Sequence, residues 1–275
     1  MDYQTLLELS RKESHLDDKT IKYVLKYYLK VEPTLKMKIG QTKIDDYLRQ
    51  LQKINEGYPI QYIVGNVDFY GYNFKVKPGV LIPRFETEQL VFHTKKYINK
   101  YFSNKVSLLD IGTGTGVIGL TLKKEVPKID VTMVDISAKA LKLAKVNASH
   151  LNEDVTIYKS DMLDEVIRLN EKFDIIISNP PYLTKDEEIM EVVRRYEPSK
   201  ALYGGKKGLK YYKVILANAK KVLKDRGLIA FEIGSSQTLD IIKIANKYFK
   251  DSPYEIKKDF QGRDRMFFLF YNLND

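Results

Sequence analysis

Leu108-Leu109-Asp110-Ile111-Gly112-Thr113-Gly114-Thr115-Gly116-Val117-Ile118-Gly119 is an apolar run that closes on a carboxylate and then breaks into glycines. The run from Ser107 to Ile111 reads as a buried strand, and Val117–Glu125 resumes at helical spacing. Glycines between the two let the chain turn tightly and bring backbone N–H groups against a ligand with no Cβ in the way. Further candidate strands follow at Val131–Asp135, Val155–Tyr158, Phe173–Ser178 and Leu228–Ile233. Helical stretches separate them at Ala138–Leu151, Gly208–Lys224 and Thr238–Phe249. Such alternation predicts an α/β fold, a doubly wound sheet of mostly parallel strands. Glu255–Lys258 and Met266–Tyr271 break the rule, because only a short polar turn through Gly262 separates them. Strands so close in sequence pair antiparallel. The expected sheet is therefore seven-stranded, mostly parallel, and finished by an antiparallel hairpin.

Ahead of this region the texture differs. Ile21, Val24, Leu25, Tyr28 and Leu29 recur at helical spacing, as do Ile44, Tyr47, Leu48, Leu51 and Ile54. Pro33 and Gly40 punctuate between them, and Thr42 with Asp45 three residues on suggests a capped helix start. Residues 1–57 are thus expected to form a small N-terminal helical domain. Residues 58–82 alternate and carry aromatic and β-branched side chains, with Gly71 and Asn73 as turn chemistry, which predicts a β-hairpin linker. Residues 83–275 form the main domain, opening through Leu81-Ile82-Pro83-Arg84 into a helix near Glu86.

Composition removes several chemistries. The 275 residues include no cysteine, so a disulfide frame, a thiolate nucleophile and a zinc ribbon are out. His15, His93 and His150 lie far apart with no metal-ligand spacing, so no metal site is expected. Hydrophobic residues at 44% supply a real core. The opening Met-Asp-Tyr-Gln has no secretory pattern and no apolar run approaches a membrane span, so a cytoplasmic protein with no membrane partner is expected. Forty-six Lys and Arg against thirty-six Asp and Glu leave +10, which favours polyanions or acidic partners.

Two features carry the chemistry. Asp135 closes the second strand about 20 residues after the glycines, placed to accept from ribose hydroxyls. The glycines alone are ambiguous, because Gly114-x-Gly116-x-x-Gly119 also satisfies a dinucleotide fingerprint or serves a plain turn. Asp110 argues against a pyrophosphate, which it would repel, and suits a cationic group. The second feature is Asn179-Pro180-Pro181-Tyr182 at the end of the fourth strand. Strand ends near the switch point of an open α/β sheet gather at the ligand crevice, so this tetrapeptide should lie beside the glycine loop. The prolines fix the backbone, the Asn179 amide and the Pro180 carbonyl become held acceptors, and Tyr182 offers a flat face. The bland reading of Pro-Pro is a strand stop. Acceptors over an aromatic face suit a planar, weakly nucleophilic amino group, which hydrogen bonds from both N–H groups would draw toward sp³. No strong base is then needed before attack, and catalysis becomes mostly orientation in a water-poor pocket.

Asp110-x-Gly112-x-Gly114-x-Gly116, Asp135 and Asn179-Pro180-Pro181-Tyr182 resemble the class I S-adenosylmethionine-dependent N-methyltransferases. Nearly end to end, the chain is similar to the peptide chain release factor glutamine N5-methyltransferases. The similarity is carried by Pro59-Ile60-Gln61-Tyr62-Ile63-Val64-Gly65, Phe69-Tyr70-Gly71, Leu81-Ile82-Pro83-Arg84 and Glu86-Thr87-Glu88. Glu197-Pro198-x-x-Ala201-Leu202-x-Gly204-Gly205, Gly208-Leu209-x-x-Tyr212, Glu232-Ile233-Gly234-x-x-Gln237 and Lys258-Asp259-x-x-Gly262-x-x-Arg265 continue it. The resemblance implies S-adenosylmethionine as cofactor and, as substrate, the glutamine of the Gly-Gly-Gln loop of class 1 release factors, which act in translation termination. It implies cofactor contacts at Asp110, Gly112, Thr113, Gly114, Thr115, Gly116, Asp135, Asp161, Met162 and Asn179. The substrate set it implies is Asn179, Pro180, Pro181 and Tyr182, with Asn179, Pro180 and Tyr182 catalytic; Arg84 joins it as a substrate-side candidate that either holds acidic groups near the cofactor or caps its own loop. The N-terminal domain is expected to dock the partner, and a monomer is the default expectation, since the sequence carries no sign of oligomeric state. Phe85 stands where the family often has a second proline, Tyr196 where a His is common, and Lys206-Lys207 before Gly208 replace an acidic position. Met162 occupies an often aromatic position.

Two other readings compete. A nucleic-acid N6-adenine methyltransferase shares the chemistry but must flip its base and needs surface to read the duplex. No recognition insertion follows Tyr182, and no direct nucleic-acid substrate is expected. An inactive scaffold has no use for the acceptors of Asn179 and Pro180. The charge is better assigned to steering an acidic protein partner, an effect salt weakens.

Overall fold

The computed structural model of the chain describes residues 2–31 and 39–273. Its N-terminal part contains α1 (Tyr3–Glu13), α2 (Asp18–Val24), a wider helical turn over Leu25–Leu29, and α3 (Gln41–Asn55). Asp2 and Asp17 cap the first two helices, accepting from the backbone N–H of Thr5 and Thr20 at 2.9 Å. Leu6, Ile21, Leu25, Ile44, Tyr47 and Leu51 meet in a core of their own, so both expected apolar stripes face inward. Pro33 lies outside the described residues. Thr42 is not the cap of α3: that helix starts from Gly40, and the Gln41 side chain bonds Asp45 at 2.8 Å.

Between the helices and the sheet, α4 (Ile60–Val64) precedes a hairpin of β1 (Asn66–Phe69) and β2 (Tyr72–Lys75). The expected hairpin over residues 58–82 is therefore shorter, because Tyr62, Ile63 and Val64 are helical. Pro59 precedes that helical turn, and Gly65, at φ 73°, ends it in the left-handed region. Over five residues β-branched composition says strand, and the flanking Pro and Gly decide otherwise. Phe69 and Phe74, edge-on at 6.0 Å, are buried in the core under the sheet. The hairpin is thus part of that core as well as a connection.

From α5 (Glu86–Tyr101) onward, strands and helices alternate. The strands are β3 (Val106–Ile111), β4 (Ile129–Asp135), β5 (Thr156–Lys159), β6 (Phe173–Ser178), β7 (Leu223–Glu232), β8 (Tyr254–Lys258) and β9 (Asp264–Tyr271). Between them run α6 (Val117–Glu125), α7 (Ala138–Leu151), α8 (Asp164–Arg168), α9 (Glu191–Tyr196), α10 (Lys210–Asn218) and α11 (Thr238–Tyr248). The sheet order is β5-β4-β3-β6-β7-β9-β8, parallel from β5 to β7 and antiparallel at β9 and β8. The expected seven-stranded doubly wound sheet with its terminal hairpin is observed.

Two apolar layers sandwich the sheet, following the strand period of two. Leu108, Ile175, Ile177 and Ala230 face α5, α6 and α7, whereas Leu109, Ile176, Ile229 and Phe231 face α8, α10 and α11. The helix read over Gly208–Lys224 begins later, at Lys210, because Gly208 adopts φ 67°. It also ends earlier, since Leu223 already pairs with Phe173 in the sheet. No helix among the described residues is long and apolar enough to cross a membrane.

The hairpin's place in the core has a measurable consequence. Replacing the fully buried Phe74 by alanine should destabilise the sheet domain by about 3–5 kcal/mol in urea unfolding. A loss below about 1 kcal/mol would mean that the hairpin is only a tether.

Candidate active site

The chain runs from β3 outward through β4 to β5, then returns across the sheet to β6. The switch point of the sheet therefore lies between β3 and β6. Ile111 and Ser178 are register partners there, and the Ser178 hydroxyl donates to the Ile111 carbonyl at 2.7 Å. Gly112 and Asn179 follow directly, so the glycine loop and the tetrapeptide emerge side by side.

Within the glycine loop, Gly112, Gly114 and Gly116 all have positive φ. A Cβ at Gly112 would meet nothing within 4 Å, and at Gly114 only the Gly112 carbonyl at 4.0 Å. That open side is where a ligand can approach the backbone. Gly119 serves packing instead, its Cβ position lying 3.1 Å from Asp110 Oδ2 and 3.0 Å from Val131. Asp110 is fully buried. Its Oδ2 accepts from the Thr113 hydroxyl at 2.6 Å and from Gly119 N–H at 3.1 Å. Oδ1 has no partner among the described residues. Burial pushes the Asp110 carboxyl up to about 6, against the pull of those two donors. Asp135 ends β4 and accepts from Gly114 N–H at 2.9 Å and Ser137 N–H at 2.8 Å. Its carboxyl is raised by burial as well. Open backbone, an unpartnered buried carboxylate oxygen and a second carboxylate at the rim fit a cationic, ribose-bearing ligand such as S-adenosylmethionine.

Asn179, Pro180, Pro181 and Tyr182 form one wall of a cleft of about 220 Å³. Leu81, Ile189, Met190, Val193 and Leu202 make the rest of it largely apolar, and Arg84 and Glu232 contribute at its edges. Neither Asn179 Oδ1 nor the Pro180 carbonyl accepts a hydrogen bond among the described residues. The backbone beyond them is held firmly. Leu183 N–H donates to the Leu202 carbonyl and Gly204 N–H to the Leu183 carbonyl, both at 2.9 Å. Gln237 Nε2 donates to the Tyr182 carbonyl at 2.8 Å. A Cβ on Gly204 would overlap the Pro181 carbonyl, and one on Gly208 the Tyr182 carbonyl and Gln237.

Behind Asn179 lies a buried polar chain. Asn179 Nδ2 donates to Thr87 Oγ1 at 3.2 Å, and the Thr87 hydroxyl donates to Glu232 Oε2 at 2.6 Å. Tyr182 donates its hydroxyl to Glu232 Oε1 at 3.2 Å and receives Arg265 Nη1 at 3.4 Å. Arg265 is itself held by Asp259 Oδ2, 3.2 Å from its Nε. Burial raises the Glu232 carboxyl, while Thr87, Arg265 and Tyr182 pull it down. Burial also raises the Tyr182 phenol, so the phenol stays protonated and can donate.

The remaining expected residues are dispersed. Arg84 lines the cleft, but its guanidinium is engaged with Glu197 at 2.6 Å and the Ile82 carbonyl at 2.8 Å. Thr113 and Thr115 are buried under the glycine loop. Asp161 is exposed beyond β5, and Met162, at φ 49°, is half-buried against the layer formed with α8, α10 and α11. Phe85 turns outward and stacks on Phe260 at 5.8 Å, leaving the two 64% and 77% exposed. Tyr196 packs edge-on against Tyr58 at 4.9 Å. Thr87, Gln237 and Arg265 were not among the expected site residues. Their motifs were visible, but their partners lie 92, 55 and 83 residues away in the chain.

Residues 86–197 match the family described as Methyltransferase small domain. The chain is 40% identical over 240 residues to the release factor glutamine methyltransferase of Bacillus subtilis (strain 168), covering 86% of this chain and 83% of that protein. It is 38% identical over 272 residues to the release factor glutamine methyltransferase of Clostridium acetobutylicum, with coverage of 95% and 93%. A methyltransferase structure from Pyrococcus furiosus aligns with a TM-score of 0.54 at 18% identity, covering 74% of this chain and 90% of that one, a likeness of fold alone. With relatives of this identity along nearly its whole length, the chain belongs to the release factor glutamine methyltransferases.

Proposed function

We propose that this enzyme methylates the side-chain amide nitrogen of the glutamine in the Gly-Gly-Gln loop of class 1 release factors, and that the cleft at Asn179–Tyr182 receives that glutamine. One observation carries the assignment of the cleft. Two acceptors, Asn179 Oδ1 and the Pro180 carbonyl, are left without partners among the described residues in the wall of a largely apolar cleft. A primary carboxamide brings two N–H donors on one nitrogen, which matches two acceptors on consecutive residues.

S-adenosylmethionine supplies, when bound, an electrophilic methyl group on a sulfonium. The residues that would hold it are Asp110, the loop from Gly112 to Gly116, Asp135 at the ribose, and Asp161 with Met162 at the adenine. Asn179 and Pro180 accept the two amide hydrogens and draw the nitrogen toward sp³, which frees its lone pair. Leu81, Pro181, Ile189 and Leu202 exclude water, and the Tyr182 ring packs against the flat carboxamide. No base precedes attack, because the extra proton on nitrogen becomes acidic once the new bond forms and passes to bulk solvent as the methylated amide leaves the cleft. Orientation supplies most of the rate.

The helical domain of residues 1–57 is assigned to partner docking, residues 58–82 to the linker and residues 83–275 to catalysis, in a cytoplasmic monomer. The +10 charge steers the acidic partner.

Purified enzyme with labelled S-adenosylmethionine should label a release factor, and the label should vanish when the Gly-Gly-Gln glutamine is replaced. Labelling of duplex DNA alone would support the N6-adenine reading instead. Asn179→Ala should abolish transfer and leave cofactor binding, followed by calorimetry, largely in place; near-normal turnover would sink the amide clamp. Gly208→Ala combines a left-handed backbone with overlap at Tyr182. It should cost about 2–4 kcal/mol by thermal unfolding and remove activity in whatever protein remains folded.

A further inference from the structure

Asparagine presents a polarity problem that the clamp must solve. Its carboxamide is nearly symmetric in shape, but a half-turn about the last side-chain bond exchanges an acceptor for a donor. Facing the cleft with Oδ1, Asn179 receives a substrate N–H. Facing it with Nδ2, it sets donor against donor. Nothing in Asn179 itself selects between the two.

We propose that Thr87 and Glu232 are positioning residues that fix this polarity, holding the Asn179 nitrogen inward so that its oxygen faces the substrate amide. The inference rests on the glutamine-clamp reading and deepens it. A threonine hydroxyl has one hydrogen, and at 2.6 Å Thr87 commits it to Glu232 Oε2. The Thr87 oxygen can then only accept, so the Asn179 group 3.2 Å away must be its NH2. Glu232 anchors the direction because a carboxylate accepts and never donates. It is 1% exposed, and its other oxygen receives the Tyr182 hydroxyl at 3.2 Å. Arg265, locked by Asp259, places positive charge on the far side of Tyr182, which favours the ionised carboxylate against the burial that raises it. Thr87 itself is 2% exposed and touches no substrate, so its action passes through Asn179.

The test uses full-length enzyme, a release factor and labelled S-adenosylmethionine. Thr87→Val keeps the side-chain shape and removes the hydroxyl, and Thr87→Ser restores it. Thr87→Val should lower kcat on the order of 10²-fold, with the release-factor KM and the calorimetric cofactor affinity nearly unchanged. Thr87→Ser should recover most of that loss. Glu232→Gln offers Thr87 a donor as well as an acceptor, so it should lower kcat in the same manner, and it reads the same relay if Thr87→Val does not fold. Near-normal kcat in folded Thr87→Val or in Glu232→Gln overturns the inference while an inactive Asn179→Ala leaves the clamp standing. Equal losses in Thr87→Val and Thr87→Ser also overturn it, since packing rather than the hydroxyl is then responsible. Full activity of Asn179→Ala would instead remove the clamp reading on which the relay is built.

Discussion

Backbone packed against backbone is the constraint on which the rest of this structure depends. The segment from Pro181 to Leu183 lies so close to Gly204 and Gly208 that neither glycine has room for a Cβ. Gln237 clips the Tyr182 carbonyl from the other side. Without that compression, two prolines at a strand end would merely redirect the chain. With it, Asn179 and Pro180 leave the sheet beside the glycine loop as a fixed wall of the cleft.

Beneath this frame the molecule buries two carboxylates near the ends of β3 and β7, on either side of β6, and treats them differently. Asp110 is satisfied on one oxygen and bare on the other, so it is suited to a nearby positive ligand. Glu232 is satisfied on both oxygens, and its environment supplies its own cation in Arg265. One site is left electrically incomplete and the other is closed. That contrast divides a region meant to receive a cation from one meant to stay rigid.

Much of the fold was legible because strand period and helix period are local properties. Phe173–Ser178, read as a continuous apolar run, is a central parallel strand buried on both faces, and its limits agree. The reading slipped where a few residues had to decide alone. Tyr62-Ile63-Val64 has strand composition but helical geometry, because Pro59 and Gly65 bracket a single turn. Similarly, Gly208 was absorbed into a helix that its backbone conformation excludes. At the site, Asn179 to Tyr182 and the glycines declared themselves because their chemistry is contained in four or five consecutive residues. Thr87 and Arg265 did not, since a buried hydroxyl and a buried guanidinium acquire meaning only from partners brought in by the fold. Glu197 shows the same limit: its role of closing Ile82 and Arg84 onto the cleft spans more than a hundred residues.

The position of β9 carries one more consequence, for how the enzyme is made. This strand ends at Tyr271 of 275 residues, yet it lies between β7 and β8. Its second residue is Arg265, and the loop before it delivers Asp259. Synthesis proceeds from the N-terminus, so the glycine loop, the Asn-Pro-Pro-Tyr segment and both carboxylates leave the ribosome before the cation that stabilises one of them. Until β9 is available, β7 is an open edge and β8 lacks the strand that joins it to the sheet. Arrival of β9 therefore completes the sheet and the charge balance of the active site in one event.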